Sequence, residues 1–200
     1  MRDGTCSTSH RGRVYESFMD LSRLAVTVAE VMEARIEESA KLITACLLAG
    51  KKVLACGNGG SAADAQHFVA ELVGRMGRER RSLPAISLSA DPSVVTALGN
   101  DYGYERVFAR QVEGLGQPGD VLLAISTSGR SPNVLRAIET ARRCGLQTVS
   151  LVGEGGDSLL ANCDVCVHIP SRNTQRVQEI HTAVLHAICD HVEEQLVASS

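Results

Sequence analysis

Val53-Leu54-Ala55-Cys56-Gly57-Asn58-Gly59-Gly60-Ser61 is a short apolar run that stops at a glycine turn, and the segment beyond it carries His67 and Glu71 four residues apart. An apolar run this short, followed by a helix-like segment, reads as a strand buried on both faces. The glycines permit close backbone approach, and the free N–H groups at the mouth of the next helix favour an anion. A second passage repeats the pattern. Val121-Leu122-Leu123-Ala124-Ile125 runs into Ser126-Thr127-Ser128-Gly129-Arg130-Ser131, which places four hydroxyls in six residues ahead of Pro132. Helix capping needs only one hydroxyl, so the two turns together predict a site for a phosphorylated small molecule.

Working outward, strands are predicted at Lys52–Cys56, Ala85–Leu88, Val121–Ile125, Thr148–Leu151 and Val165–Ile169. Helices are predicted at Ala62–Gly74, Pro92–Leu98, Tyr104–Leu115, Pro132–Cys144 and Thr174–Leu196. Apolar strands alternating with helices make an α/β fold, a doubly wound, mainly five-stranded parallel sheet flanked by helices, whose ligands sit at the carboxyl ends of the strands. Ahead of the sheet, Val14 to Ala49 has no Pro or Gly, and Phe18, Leu21, Leu24, Val28, Val31, Met32 and Ile36 recur at helical spacing. That exceeds an ordinary single helix, so the expectation is a helical pair or a bent helix with a face for another subunit. Residues 1–13 read as a disordered tail, residues 14–200 as one domain, and Gly153–Asp157 as a mere connection.

With 200 residues, 44% of them hydrophobic, and a net charge of −3, the chain suits one α/β domain. Both signs of charge are interspersed, which gives no basic field for nucleic acid, and the apolar runs are too short for a bilayer. No signal-peptide core is present near the start, and the reading is cytoplasmic. Six of the seven cysteines (Cys46, Cys56, Cys144, Cys163, Cys166 and Cys189) lie in or beside apolar segments, as small core residues in a reducing compartment do. Cys163-Asp164-Val165-Cys166 has zinc-knuckle spacing but no second pair to close a tetrahedral site.

Spacing alone does not exclude a dinucleotide fingerprint at Gly57-Asn58-Gly59-Gly60, since Ala62 is tolerated at the third glycine position; the second hydroxyl turn argues against it. A Walker loop is excluded because no Gly-Lys-Ser/Thr follows. His67 and Glu71 share one helix face, a spacing that suits one metal ion, one substrate or a surface ion pair. The last helix adds Gln178, Glu179, His181, His186 and His191 among apolar residues; His181 and His191 read as core histidines.

Cys56–Phe68, Gly99-Asn100-Asp101-Tyr102, Gly119–Gly129 and Val177-Gln178-Glu179-Ile180-His181 occur in the order and with the residues of the phosphoheptose isomerases, enzymes built on the sugar isomerase (SIS) domain. The chain resembles them from about Val14 to Leu196. The resemblance implies conversion of sedoheptulose 7-phosphate to D-glycero-D-manno-heptose 7-phosphate through an enediolate. That is the first step toward ADP- or GDP-heptose precursors, with lipopolysaccharide among the destinations. It implies substrate contacts from Asn58, Gly59, Gly60, Ser61, Glu71, Asn100, Asp101, Ser126, Thr127, Ser128, Ser131 and Gln178. It further implies one zinc ion per subunit on His67, Glu71, Gln178 and His186, with Glu71 and His186 as the acid–base pair, and a homotetramer with sites at subunit interfaces.

This chain departs from the family in carrying Gln175 where some members have an acid, and Arg130 where a small or amide residue is common; Arg130 either touches phosphate or faces water. Gln178 and His186 lie about 12 Å apart along a helix. They therefore approach one ion from opposite sides, or one of them comes from a neighbouring subunit. A non-catalytic SIS-domain protein, a replication-initiator partner or a sugar-phosphate sensor, is the alternative. The presence of Glu71, Thr127 and His186 favours the isomerase.

Overall fold

The computed structural model describes residues 12–156 and 163–198. The predicted tail lies almost wholly outside the described residues, as does Asp157 of the predicted connection. In chain order the elements are α1 (Arg13–Leu48), β1 (Val53–Gly57), α2 (Gly60–Val73), β2 (Ala85–Ser87), α3 (Pro92–Tyr102), a 3₁₀ turn (Tyr104–Arg106), α4 (Val107–Leu115), β3 (Val121–Ser126), α5 (Pro132–Arg143), β4 (Gln147–Gly153), β5 (Val165–Ile169) and α6 (Thr174–Ala198). All five strands are parallel, in the order β2-β1-β3-β4-β5.

Strand alternation divides the core. Val53, Ala55, Val121, Leu123, Ile125, Val149 and Leu151 face one side, where Ile43 and Leu47 of α1, Phe68 and Leu72 of α2, and Ile180, Leu185 and Ile188 of α6 cover them. Leu54, Cys56, Leu122 and Ala124 face the other side, against Val107, Phe108 and Val112 of α4 and Val134, Ala137 and Ile138 of α5. Helices therefore cover both faces, which is why the central strands are apolar at consecutive positions.

Of the two N-terminal alternatives, the helical pair is corrected. Arg13 to Leu48 is one uninterrupted helix of 36 residues rather than a pair. Nothing in its sequence breaks the backbone ladder, and α6 runs alongside it as a packing partner. The buried residues Ser39, Ala40, Ile43, Thr44, Cys46 and Leu47 crowd its last third, whereas Val14, Phe18, Val26 and Val31 stay exposed. Arg176 of α6 holds the first turns, donating to the Ser17 hydroxyl at 2.9 Å and also to the Ser17 carbonyl.

Two smaller differences concern the predicted helix Tyr104–Leu115, which divides into the 3₁₀ turn and α4, and the predicted helix start at Ala62, which lies at Gly60. Cys46, Cys56 and Cys189 are buried free thiols, as expected, and burial pushes those of Cys56 and Cys189 up to about 12. No helix among the described residues is long and apolar enough to cross a membrane.

Candidate active site

β1 and β3 are neighbours although β2 follows β1 in the chain, so the glycine turn and the hydroxyl turn open side by side where the strand order reverses. Open α/β sheets bind ligands in that crevice. An amide pair ties the turns together: Asn58 Nδ2 donates to Asn133 Oδ1 at 2.9 Å, and Asn133 Nδ2 donates back to Asn58 Oδ1 at 2.8 Å. Tyr104 Oη donates to the same Asn58 oxygen at 3.3 Å. Asn58 is thus part of the scaffold that holds the two turns together. Sequence reasoning missed Asn133 and Tyr104; an amide directly after Pro132, at the start of a helix, was the available signal.

The hydroxyl turn is tightly built. Ser126 Oγ and Ser131 Oγ are 3.2 Å apart, and Ser128 Oγ accepts the Arg130 N–H at 3.3 Å. Gly153 N–H donates to the Thr127 carbonyl at 3.0 Å, which draws the loop after β4 against the turn. Gly129 has φ +60°, and a Cβ there would lie 2.3 Å from the Gly156 Cα, so only glycine fits. Between the two loops lies a cavity of about 390 Å³, lined by Thr127, Ser128, Arg130, Glu154, Arg172 and Thr174. Arg130 therefore borders the hydroxyl cavity. Gly153–Asp157, expected only to connect, contributes Glu154 to its wall, and Glu154 pairs with Arg172 at 3.3 Å. Neither residue carried a motif signal in the sequence.

Ser61 is buried in the first turn of α2. Asn100 and Asp101 are exposed on α3 and bond each other, Asn100 Nδ2 donating to Asp101 Oδ1 at 2.7 Å. They stand four and three residues before Tyr104, whose hydroxyl reaches Asn58.

Along the other edge of the crevice, α2 and α6 run in the same direction with matched positions. The Gln178 amide lies over Gly60, where a Cβ would come within 2.3 Å of Nε2. Thr182 Oγ1 donates to Asp64 Oδ1 at 2.8 Å. Burial pushes the Asp64 carboxyl up, against the opposing pull of that hydrogen bond and of His67. Next along, His186 Nε2 lies 3.3 Å from His67 Nε2, which lies 3.0 Å from Glu71 Oε1. The rings of His67 and His186 meet edge to face, with centroids 4.9 Å apart. Beyond them, Arg80 Nη2 and Glu193 Oε1 are 3.1 Å apart.

His67, Glu71 and His186 place their ligating atoms within 4.8 Å of one another. Two imidazole nitrogens and a carboxylate oxygen are a donor set zinc accepts, and the 3.3 Å nitrogen separation matches the edge of a tetrahedron with bonds of about 2.0 Å. The Gln178 amide, which lies over Gly60, is on the same helix as His186. It lies eight residues, about 12 Å of helix rise, before His186. His181 is fully buried, as expected of a core residue, and neither ring nitrogen makes a hydrogen bond of normal geometry. Burial pushes it down to about 4, with the Val152 backbone opposing.

Residues 18–153 match the SIS domain family. The chain is 48% identical over 187 residues to the phosphoheptose isomerase of Shewanella loihica, a match that covers 92% of this chain and 95% of that one. The solved structure of phosphoheptose isomerase GmhA from Neisseria gonorrhoeae is similar with a TM-score of 0.86 at 40% identity, covering 91% of this chain and 97% of that one. A phosphoheptose isomerase from Francisella tularensis is similar with a TM-score of 0.87 at 37% identity, covering 90% and 96%.

Proposed function

Since the chain belongs to the phosphoheptose isomerases of the SIS domain family, we propose that its hydroxyl cavity and its His67–Glu71–His186 cluster are the binding and reacting parts of one isomerase site. The protein is an aldose–ketose isomerase acting between sedoheptulose 7-phosphate and D-glycero-D-manno-heptose 7-phosphate. The observation that carries the site assignment is the meeting of two imidazoles and a carboxylate on α2 and α6, beside a crevice lined with hydroxyls.

The phosphate is held by Ser126, Thr127, Ser128 and Ser131 and by the amides that open α5, with the Arg130 and Arg172 guanidiniums in the same cavity. The sugar hydroxyls are read by Gly59, Gly60 and Ser61, by Asn58, by Asn100 and Asp101, and by the Gln178 amide. Glu71 takes the proton from C1 of the ketose and returns it to C2, while His186 moves the second proton between the two adjacent oxygens. Negative charge develops on those oxygens between the two transfers. Zinc on His67, Glu71 and His186, with Gln178 as the fourth ligand, would polarise the carbonyl and stabilise that charge.

From Val177, which borders the phosphate cavity, to His186 is nine residues, about 13 Å of α6. The reading therefore includes a homotetramer in which a neighbouring chain completes the site, and the exposed Val14, Phe18, Val26 and Val31 supply apolar surface for it. The reading also places the enzyme in the cytoplasm, supplying heptose for glycoconjugates such as lipopolysaccharide. The non-catalytic alternative is not favoured by the relatives.

Incubation with sedoheptulose 7-phosphate in D2O, followed by NMR, tests the chemistry. The expected result is the aldose with deuterium at C2; recovery of unchanged, undeuterated ketose would overturn it. In analytical ultracentrifugation the intact protein is expected to sediment as a tetramer, and a fully active monomer at micromolar concentration would overturn the shared site.

A further inference from the structure

Arg80 and Glu193 lie outside every motif that the family resemblance draws on, yet they form the most heavily connected polar contact among the described residues. Arg80 has 5% of its side chain exposed and Glu193 has none. Arg80 Nη2 donates to the Glu71 carbonyl at 2.6 Å, and Nη1 donates to the carbonyls of Leu72 at 2.9 Å and Gly74 at 3.2 Å. One guanidinium thus caps the last turn of α2, the turn that carries Glu71, in the way a cation suits a helix C-terminus. Glu193 Oε1 accepts the Met76 N–H at 2.8 Å, and Oε2 accepts those of Gly77 at 2.9 Å and Arg78 at 2.8 Å. The chain leaving α2 is thereby fastened to α6 two turns beyond His186.

We propose that Arg80 and Glu193 are positioning residues for the isomerisation, a buried ion pair that sets the separation of Glu71 on α2 from His186 on α6. The proposal rests on the assignment of those two residues as the acid–base pair. Its logic is mechanical. Glu71 reaches His67 at 3.0 Å and His67 reaches His186 at 3.3 Å, so the cluster spans two helices that are joined only by side chains. On one side of it the helices are joined by Thr182 and Asp64, a single neutral donor on one carboxylate. On the other side the joint is the ion pair, with backbone bonds on both partners. Proton transfer falls off steeply when the reacting groups drift by an ångström, so the stiffer joint lies beside the residue whose placement matters most.

A device that only held the fold together would lower thermal stability and the yield of folded protein, leaving turnover per folded molecule unchanged. A positioning pair lowers kcat. The test compares Glu193→Gln and Arg80→Lys with the wild type, well below their unfolding temperatures, with rates normalised to folded protein. The expected result is a kcat lower by about tenfold or more in each variant with KM within about twofold. The Overhauser effect between the His67 and His186 rings, strong in the wild type at a centroid distance of 4.9 Å, is expected to weaken in both. Arg80→Ala supplies a rescue arm, because a cavity of about 410 Å³ bordered by Arg80, Leu83 and Leu196 gives added guanidinium ion a way in; kcat is expected to recover at millimolar guanidinium. Wild-type kcat and an unchanged ring contact in both Glu193→Gln and Arg80→Lys would overturn the proposal. A wild type that turned over no sugar phosphate would instead overturn the functional reading, and the ring contact would still decide the positioning role.

Discussion

The two ends of the α2–α6 groove are built by different means. At the carboxyl end of the central strand β3, the hydroxyl turn takes its shape mainly from backbone, Gly129 against Gly156 and the Gly153 N–H on the Thr127 carbonyl, with the Asn58–Asn133 amide pair tying it to the glycine turn. Farther along the groove, the His67–Glu71–His186 cluster takes its shape from side chains projecting from long helices, with its two histidines 119 residues apart in sequence. Tight loops suit a phosphate, which is the same in every substrate and asks only for donors at fixed points. Helices suit proton transfer, which asks for groups that stay aligned while charge moves between them.

The sharpest way to break this division is to remove the two groups proposed to react. Glu71→Gln and His186→Ala are each expected to lower kcat about a hundredfold or more, with KM changed little and circular dichroism unchanged. A wild-type rate in either purified variant would move the chemistry elsewhere.

Next in size is an acid effect on the helical end. His181 has a folded pKa pushed down to about 4 from an ordinary 6.5. Its neutral form is the one the fold accepts, so its contribution is intact above about pH 6.5 and is lost as pH falls toward 4. The loss approaches about 3 kcal/mol at the acid end. Melting temperatures measured across that window are expected to fall less steeply for His181→Phe than for the wild type, and parallel profiles would refute the effect.

At the loop end, Gly129→Ala is expected to cost about 2 kcal/mol of stability, because the left-handed φ is compounded by a backbone clash with Gly156. Urea unfolding measures it, and a midpoint equal to the wild type would show that the two loops move apart freely. Smallest is Ser128→Ala, which removes one donor among several. KM for the sugar phosphate is expected to rise several-fold, about 1 kcal/mol, with kcat held. Equal affinity of the wild type for the dephosphorylated sugar would break the assignment of this end altogether.

The same division governs what could be read before the fold was known. The sheet and both turns were legible because each is local: an apolar run, a glycine or hydroxyl cluster and a helix start, all within about a dozen residues. His67 and Glu71 were legible as a pair for the same reason. The approach of His186 to them was not, since no spacing rule connects α2 to α6, and only resemblance to a family supplied it. Asn133, Glu154, Arg172, Arg80 and Glu193 escaped notice because each matters through a partner brought close by tertiary folding. The division of α1 into a helical pair was wrong for a related reason: its length looked excessive without α6 alongside.

The matched positions of α2 and α6 also constrain how this protein can change over evolutionary time. His186 and Glu193 must both face α2, and seven residues separate them, close to two full turns. A single insertion between them would rotate one against the other by about 100° and carry it about 1.5 Å along the axis, so that one of the two would have to abandon its partner. Surface loops absorb length changes readily, whereas this stretch of α6 can accept only changes that preserve phase. Its length is therefore as much a part of the site as the residues at its ends.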